Sequence, residues 1–239
     1  MTHSLAPHLE DVEVSVLDAQ GVERTILRPL TLTLGESRIA LIGPNGSGKS
    51  TILRLLNGLV TPSRGIVKIG DLNTAKDAIK IRRRVGFVFT DPDAQLVMPT
   101  PIEDVSLSLR KIGVPRKERE GRASEILDQF GLQDQAQVPV HQLSGGQKQL
   151  LALAGVLATD PQLIVCDEPT TLLDLRHAHK MTRLLMNLPQ QLIYATHDLE
   201  LAARANRVLV IMDGALAFDG DPALAIDFYR EQMALEEVV

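Results

Sequence analysis

An α/β fold built on a nucleotide-binding sheet is predicted by three observations. The apolar run Ile39-Ala40-Leu41-Ile42 feeds directly into Gly43-Pro44-Asn45-Gly46-Ser47-Gly48-Lys49-Ser50, which has the G-x-x-x-x-G-K-[ST] form of a phosphate-binding loop. A second run, Leu163-Ile164-Val165-Cys166, ends abruptly in the carboxylates Asp167 and Glu168. A third strand, Gln191 to Ala195, runs into Thr196-His197-Asp198. A histidine thus stands at the carboxyl end of a strand, where an α/β sheet presents its ligands.

Taken in order, the first ~30 residues read as alternating, β-rich segments, with Val12, Val14 and Val16 on one face and a turn near Gln20-Gly21. A helix begins near Lys49, behind the glycine loop, and Val67-Lys68-Ile69-Gly70 is a short strand. No strong strand follows between Pro92 and Gln142, and Glu118 to Phe130 reads as a helix ended by Gly131. Ser144 is a good N-cap for the next helix, in which Leu150, Leu153, Ala154 and Leu157 fall at i, i+3, i+4, i+7 and predict one apolar face. That helix ends near Thr159-Asp160-Pro161. Val208 to Met212, Asp213-Gly214 and Ala215 to Phe218 form a β-hairpin with a tight primed turn, and Asp221 to Val239 is an acidic-ended helix.

The motifs carry a definite chemistry. Glycines let successive backbone N–H groups turn toward one anion, and the helix behind them adds the positive end of its dipole. Lys49 reaches β- and γ-phosphates while the Ser50 hydroxyl suits a Mg²⁺ ligand. Asp167 suits the Mg²⁺ side of the site and Glu168 a group that orients or deprotonates the attacking water. Adjacent strand residues point to opposite sides, so the pair can divide these roles. Ser144-Gly145-Gly146-Gln147 opens a helix and forms a second anion site. Each motif has a plainer alternative: a glycine turn, an ordinary capped helix, acidic turn formers at a strand end, a structural histidine. Only their combination selects the catalytic reading.

These four motifs, in this order, resemble the ATP-binding cassette (ABC) family from about Leu9 to Phe218. The resemblance implies an α/β P-loop NTPase fold of the ABC ATPase type, with a RecA-like core, an antiparallel β subdomain and a helical subdomain. It makes residues 1–239 a single ABC ATPase domain, with the helical subdomain inserted at about 92–155. ATP is then held by Gly43, Pro44, Asn45, Gly46, Ser47, Gly48, Lys49, Ser50 and Thr51. Ser144, Gly145, Gly146 and Gln147 form the family signature, and Ser50, Asp167 and Thr90 serve Mg²⁺. Glu168 and His197 are the catalytic pair. Thr171-Leu172-Leu173-Asp174 resembles the loop that crosses to a partner cassette. In this family two cassettes meet head to tail, and the signature of one chain closes over the γ-phosphate held by the other. One loop and one signature therefore imply a dimer, of identical or related chains.

The stretch from Val85 to Gln95 resembles the Asn-Pro-x-x-Gln variant of energy-coupling-factor importers, which take up vitamins and transition-metal ions. Within that group it is most similar to the ATPase of the biotin transporter, with cobalt and nickel ATPases close behind. The expected partners are an integral membrane coupling subunit, docking around Gln95 to Glu103, and a substrate-binding membrane subunit. The expected location is the cytoplasmic face of the membrane. Several positions depart from the family pattern. Thr90 replaces a glutamine, so either Gln95 takes over part of its role or the link to the membrane partner is looser. Only Val14, Val16 and Leu17 stand where an adenine-stacking aromatic is usual, Leu150 replaces an arginine, and Leu175 replaces a proline.

Composition excludes other classes. A chain of 239 residues with 44% hydrophobic content buries a sizeable core, and no run approaches the ~20 apolar residues that span a bilayer. Met1-Thr2-His3-Ser4 lacks the features of a signal peptide, which predicts a cytosolic chain. Cys166 alone excludes an internal disulfide and reads as a packed small hydrophobe. A net charge of −5 and 3% aromatic content argue against nucleic acid. The basic residues from Arg110 to Arg122 and the Arg82-Arg83-Arg84 cluster read as solvated helix faces or as contacts with a partner or acidic headgroups. A soluble ABC-type ATPase that assembles or remodels a cytosolic complex is the competing function. A small-molecule kinase leaves Ser144 to Gln147 without a purpose.

Overall fold

The computed structural model describes residues 5–236. The expectations for Met1 to Ser4 and for the last three residues of the acidic tail fall outside that range. In chain order the strands and α-helices are β1 (Pro7–Leu17), β2 (Glu23–Thr33), β3 (Arg38–Ile42), α1 (Lys49–Leu56), β4 (Arg64–Ile69), β5 (Leu72–Asn73), α2 (Ala78–Ile81) and β6 (Val85–Val88). The helical stretch follows with α3 (Pro101–Lys111), α4 (Arg116–Gln129) and α5 (Gly145–Leu157). Then come β7 (Leu163–Asp167), α6 (Leu175–Met186), β8 (Gln191–Ala195), α7 (Leu199–Ala202), β9 (Arg207–Met212), β10 (Ala215–Gly220) and α8 (Pro222–Glu236).

Two sheets organise the chain. A six-stranded sheet has the order β10-β9-β3-β8-β7-β6, parallel from β9 to β6 with β10 antiparallel at its edge. A four-stranded antiparallel sheet has the order β2-β1-β4-β5. The central strands are apolar at nearly every position because both faces are covered. Alternation then divides them between two cores. Ala40, Ile42, Ile164, Cys166, Leu192 and Tyr194 face the core shared with the helical stretch. Ile39, Leu41, Val165, Ile193 and Ala195 face the core shared with α1 and the antiparallel sheet. Cys166 is fully buried, and burial raises its thiol well above the ordinary range, which fits packing rather than reactivity.

Turn chemistry sets the boundaries. Asp213 and Gly214 both have positive φ, 49° and 73°, as a type I′ hairpin between β9 and β10 requires. Arg207, at the start of β9, donates to Asp219 of β10, to Glu36 and to the Thr33 carbonyl, tying the hairpin to the end of β2. Pro101 opens α3, with Glu103 and Asp104 in its first turn and Arg110 and Lys111 in its last, matching the helix dipole at both ends. Gly131, at φ 67°, follows the end of α4.

The structure corrects two expectations from the pattern. Val12 and Val14 are buried, but Val16 is exposed: it lies next to the end of β1, opposite exposed Arg24 of β2. Helix α5 has no single apolar face: Leu150 through Gly155 are all buried and Leu157 is only partly so. The helix is sandwiched between β6 on one side and α3, α4 and α6 on others, so periodicity at 3.6 residues does not describe it.

The seam between α5 and the edge strand is tight. A methyl group at Gly86 of β6 would lie 2.3 Å from Val156 Cγ1 and 3.2 Å from Pro161 Cγ. Gly86→Ala is therefore expected to destabilise the fold by about 1–3 kcal/mol through overpacking, read as a lowered midpoint in thermal or urea unfolding. An unchanged midpoint would mean that the helical stretch yields freely at this seam.

Candidate functional site

The glycine loop connects β3 to α1, and its backbone is shaped by close approaches. At Gly43, φ is 147° and a Cβ would sit 1.9 Å from the Ile211 carbonyl oxygen, so only glycine fits. Gly48 caps α1 at φ 105°. A methyl at Gly46, where φ is 77°, would meet nothing within 4 Å, so the loop keeps open space on that side. The Gly214 amide donates to the Ser47 carbonyl at 3.1 Å and braces the loop from the hairpin, while Ser47 Oγ is buried without a partner. An orphaned hydroxyl beside an open glycine cradle fits a phosphate oxygen as its missing acceptor.

Lys49 is only 6% exposed, and its Nζ donates to the Gly43 and Pro44 carbonyls at 2.7 and 2.9 Å. Burial lowers its pKa, and the negative charges of Glu168 and then Asp167 push it back up. Two carbonyls hold an ammonium without neutralising it. A triphosphate supplies the anion that this buried charge lacks.

The carboxylates meet the loop at the end of β7. Ser50 Oγ donates to Asp167 Oδ1 at 2.8 Å, and Arg54, one helical turn along α1, places Nη2 3.8 Å from Asp167 Oδ2. A hydroxyl beside a carboxylate is the sparse oxygen set that suits Mg²⁺ held mainly by phosphate and water. Thr90 lies close by, but its hydroxyl donates to the Asp167 backbone carbonyl at 2.9 Å, not to the carboxylate. It braces the strand end instead of joining the oxygen set. Gln95 does not replace it: its side chain accepts from the Phe89 amide and donates to the Ala152 carbonyl.

Glu168 departs from the strand. Its φ is 52°, a left-handed conformation that costs a non-glycine residue roughly 1–2 kcal/mol, while its amide still donates to the Ala195 carbonyl at 3.1 Å. A backbone turn, not strand alternation, separates it from Asp167. Glu168 Oε2 accepts from Thr171 Oγ1 at 2.9 Å and from the His197 amide at 3.2 Å. His197 Nε2 stands 3.0 Å from Oε1, which is buried and makes no hydrogen bond. A carboxylate fixed through one oxygen, with the other beside an imidazole and short of a hydrogen bond, is placed to accept a proton from water.

The segment from Ser144 is a complete capping box: Ser144 Oγ accepts from the Gln147 amide, and the Gln147 side chain accepts from the Ser144 amide. The first amides of α5, those of Gly145 and Gly146, have no intrahelical acceptor. Behind them Lys148 pairs with Asp93 at 2.8 Å, and Gln149 donates to the Phe89 carbonyl. A groove of about 280 Å³ opens between β6, α3 and α5, lined among others by Phe87, Phe89, Gln95, Val97, Asp104 and Gly155. Sequence reasoning does not find the Arg54, Thr171 and Lys148 contacts. Only Arg54 leaves a signal, its i+4 spacing from Ser50 on one helix face.

Known proteins resemble this chain along most of its length. Residues 27–171 match the family model described as "ABC transporter". The biotin transport ATP-binding protein BioM of Rhizobium etli is 43% identical over 208 residues, covering 87% of this chain and 92% of that protein. An energy-coupling factor transporter ATP-binding protein, EcfA, of Methanothermobacter thermautotrophicus is 42% identical over 230 residues, covering 93% of this chain and 72% of that protein. A dimeric ATP-binding cassette solved in a post-hydrolysis state with ADP and Pi superposes with a TM-score of 0.82 at 31% identity, over 90% of this chain and 98% of the other.

Lys49→Ala is expected to abolish measurable ATP binding at micromolar nucleotide while leaving the unfolding midpoint near the parent value, as checked by calorimetric titration. Binding retained within a few-fold would remove Lys49 from the phosphate site.

Proposed function

The chain belongs to the ABC transporter family and is an ATPase; from that premise we propose that it is the nucleotide-binding subunit of an energy-coupling-factor importer for a vitamin, with biotin the leading candidate and a transition-metal ion the second. What carries the proposal is the pairing of similarity to BioM and EcfA over most of this chain with the Thr90 to Gln95 segment, which adjoins a groove on one side and α5 on the other.

In this reading residues 1–239 form one ABC ATPase domain, with 92–155 as its helical subdomain. Gly43 to Thr51 hold the phosphates of ATP, and Ser50 and Asp167 hold Mg²⁺, which when bound neutralises phosphate charge. Glu168 accepts the proton of the attacking water, and His197 positions both. The adenine rests on exposed Val16 and Leu17 instead of an aromatic ring, which weakens base selectivity because stacking is lost. Two such chains, or this chain and a related one, close head to tail so that Ser144, Gly145, Gly146 and Gln147 of each cover the γ-phosphate held by the other.

The groove is the surface we assign to a membrane coupling subunit, which places the chain at the cytoplasmic face of the membrane beside a substrate-binding membrane subunit. Three side chains tie the segment beside the groove to α5: Lys148 to Asp93, Gln95 to the Ala152 carbonyl and Gln149 to the Phe89 carbonyl. Thr90 is tied to the end of β7. A push at the groove is thereby passed to the signature helix, and through Thr90 to the Asp167 backbone.

Affinity purification from gently solubilised membranes is expected to retain a small membrane protein and a membrane coupling subunit with this chain. Recovery of soluble partners alone would sink the importer and favour the assembly-factor reading. Glu168→Gln is expected to bind ATP normally, to slow turnover by roughly 10²-fold or more, and to accumulate an ATP-bound dimer in size-exclusion chromatography. Turnover at the parent rate would remove Glu168 from proton transfer.

A further inference from the structure

Within one chain, both glycines of the signature rest on the segment that follows Glu168. A methyl at Gly146 would lie 2.4 Å from Cγ and 2.5 Å from Cδ2 of the His177 ring, and one at Gly145 would lie 3.6 Å from the Leu172 carbonyl oxygen. The imidazole therefore packs directly on the backbone at the start of α5, in space that any side chain at 146 would fill. His177 is itself held. Its amide donates to Asp174 Oδ1 at 2.9 Å, and ring Nδ1 lies 2.9 Å from both Asp174 oxygens. These contacts hold the Asp174 carboxyl below its usual range. At the other end of the same loop, Thr171 donates to Glu168 Oε2.

The path runs from Glu168 to Thr171 by a hydrogen bond, on to Asp174 through the backbone of Leu172 and Leu173, and from Asp174 through His177 to Gly146. On the head-to-tail dimer reading, on which this inference rests, Glu168 and Gly146 of one chain serve two different ATP molecules. We propose that His177, fixed by Asp174 and packed on Gly146, is a positioning residue that couples the two ATP sites. A shift of the Glu168 loop when its ATP is cleaved displaces Asp174, and the ring then drags the amides of Gly145 and Gly146 away from the phosphate they cover. A small or slack residue at 177 leaves Gly146 unsupported and breaks that linkage, while leaving each phosphate loop intact.

The test compares ATPase rate against ATP concentration for the parent, His177→Ala, His177→Asn and His177→Gln. The asparagine amide stands where Nδ1 does and keeps the bond to Asp174; the glutamine amide reaches instead to the place of Nε2. The parent is expected to be cooperative in ATP. His177→Ala is expected to lose cooperativity, with a Hill coefficient near one and a kcat roughly ten- to a hundredfold lower, and His177→Asn to recover much of both. Parent-like cooperativity in His177→Ala would overturn the proposal, as would rescue by Gln and not by Asn, which would point to a contact through Nε2. Nucleotide-dependent dimerisation is read separately in the Glu168→Gln background. If no dimer forms there, the head-to-tail reading itself fails; if it forms and His177→Ala still behaves as parent, only the role of His177 fails.

Discussion

The hydrogen bond from Ser50 to Asp167 joins positions 117 residues apart, and the rest of the architecture holds those two atoms 2.8 Å from each other. One lies at the start of α1, fixed by the glycine loop leaving β3. The other ends β7, and between the two strands runs only β8. A parallel sheet places all three carboxyl ends on one edge, so Ser50, Asp167 and His197 converge there without any one of them being adjacent in sequence. The two cores on either side of the sheet keep the strand ends in register, and neither core supplies a polar side chain to the site. Fold and chemistry are thus separated along each strand: apolar residues within it, the reactive group at or just past its end.

That edge keeps polar groups short of partners. Ser47 Oγ and Glu168 Oε1 are buried without hydrogen bonds, Lys49 is satisfied only by neutral carbonyls, and Glu168 holds a left-handed backbone. In a ligand-free core such features are costly and rare. Around this cradle the donors Ser47 and Lys49 suit a polyanion, and the free oxygen of Glu168 suits a bound water beside it. On the proposed reading these groups are preorganised for the transition state, because they need no rearrangement as charge develops.

Much of this is legible in the sequence, and the failures have physical causes. The glycine loop, the carboxylate pair, the histidine after β8 and the hairpin turn are local signatures, set by backbone requirements that only certain residues meet. Alternation does not foresee the exposure of Val16 because it sets the face of a residue, not whether neighbours still cover that face at the strand end. Periodicity misjudges helix α5 because it assumes one wet face, and this helix is packed on several sides. Thr171, Lys148 and His177 escape a reading of the sequence because their roles depend on which loops meet in space. His177 is a polar residue in the first turn of a helix, and nothing in its neighbours along the chain announces that Gly146 lies against its ring.

The substitution at Thr90 bears on how force leaves the site. A glutamine there could reach toward the Mg²⁺ side of the nucleotide; the threonine hydroxyl instead stops at the Asp167 carbonyl. Gln95 is turned the other way, onto α5, and Lys148 and Gln149 fasten the same segment to the same helix. Three side-chain ties to α5 against one short tie to the strand end make the segment beside the groove move with the signature helix in preference to the catalytic carboxylates. On the proposed dimer, a membrane partner in that groove therefore acts chiefly on the ATP held by the opposite chain. Its grip on the nucleotide of its own chain is the weaker of the two.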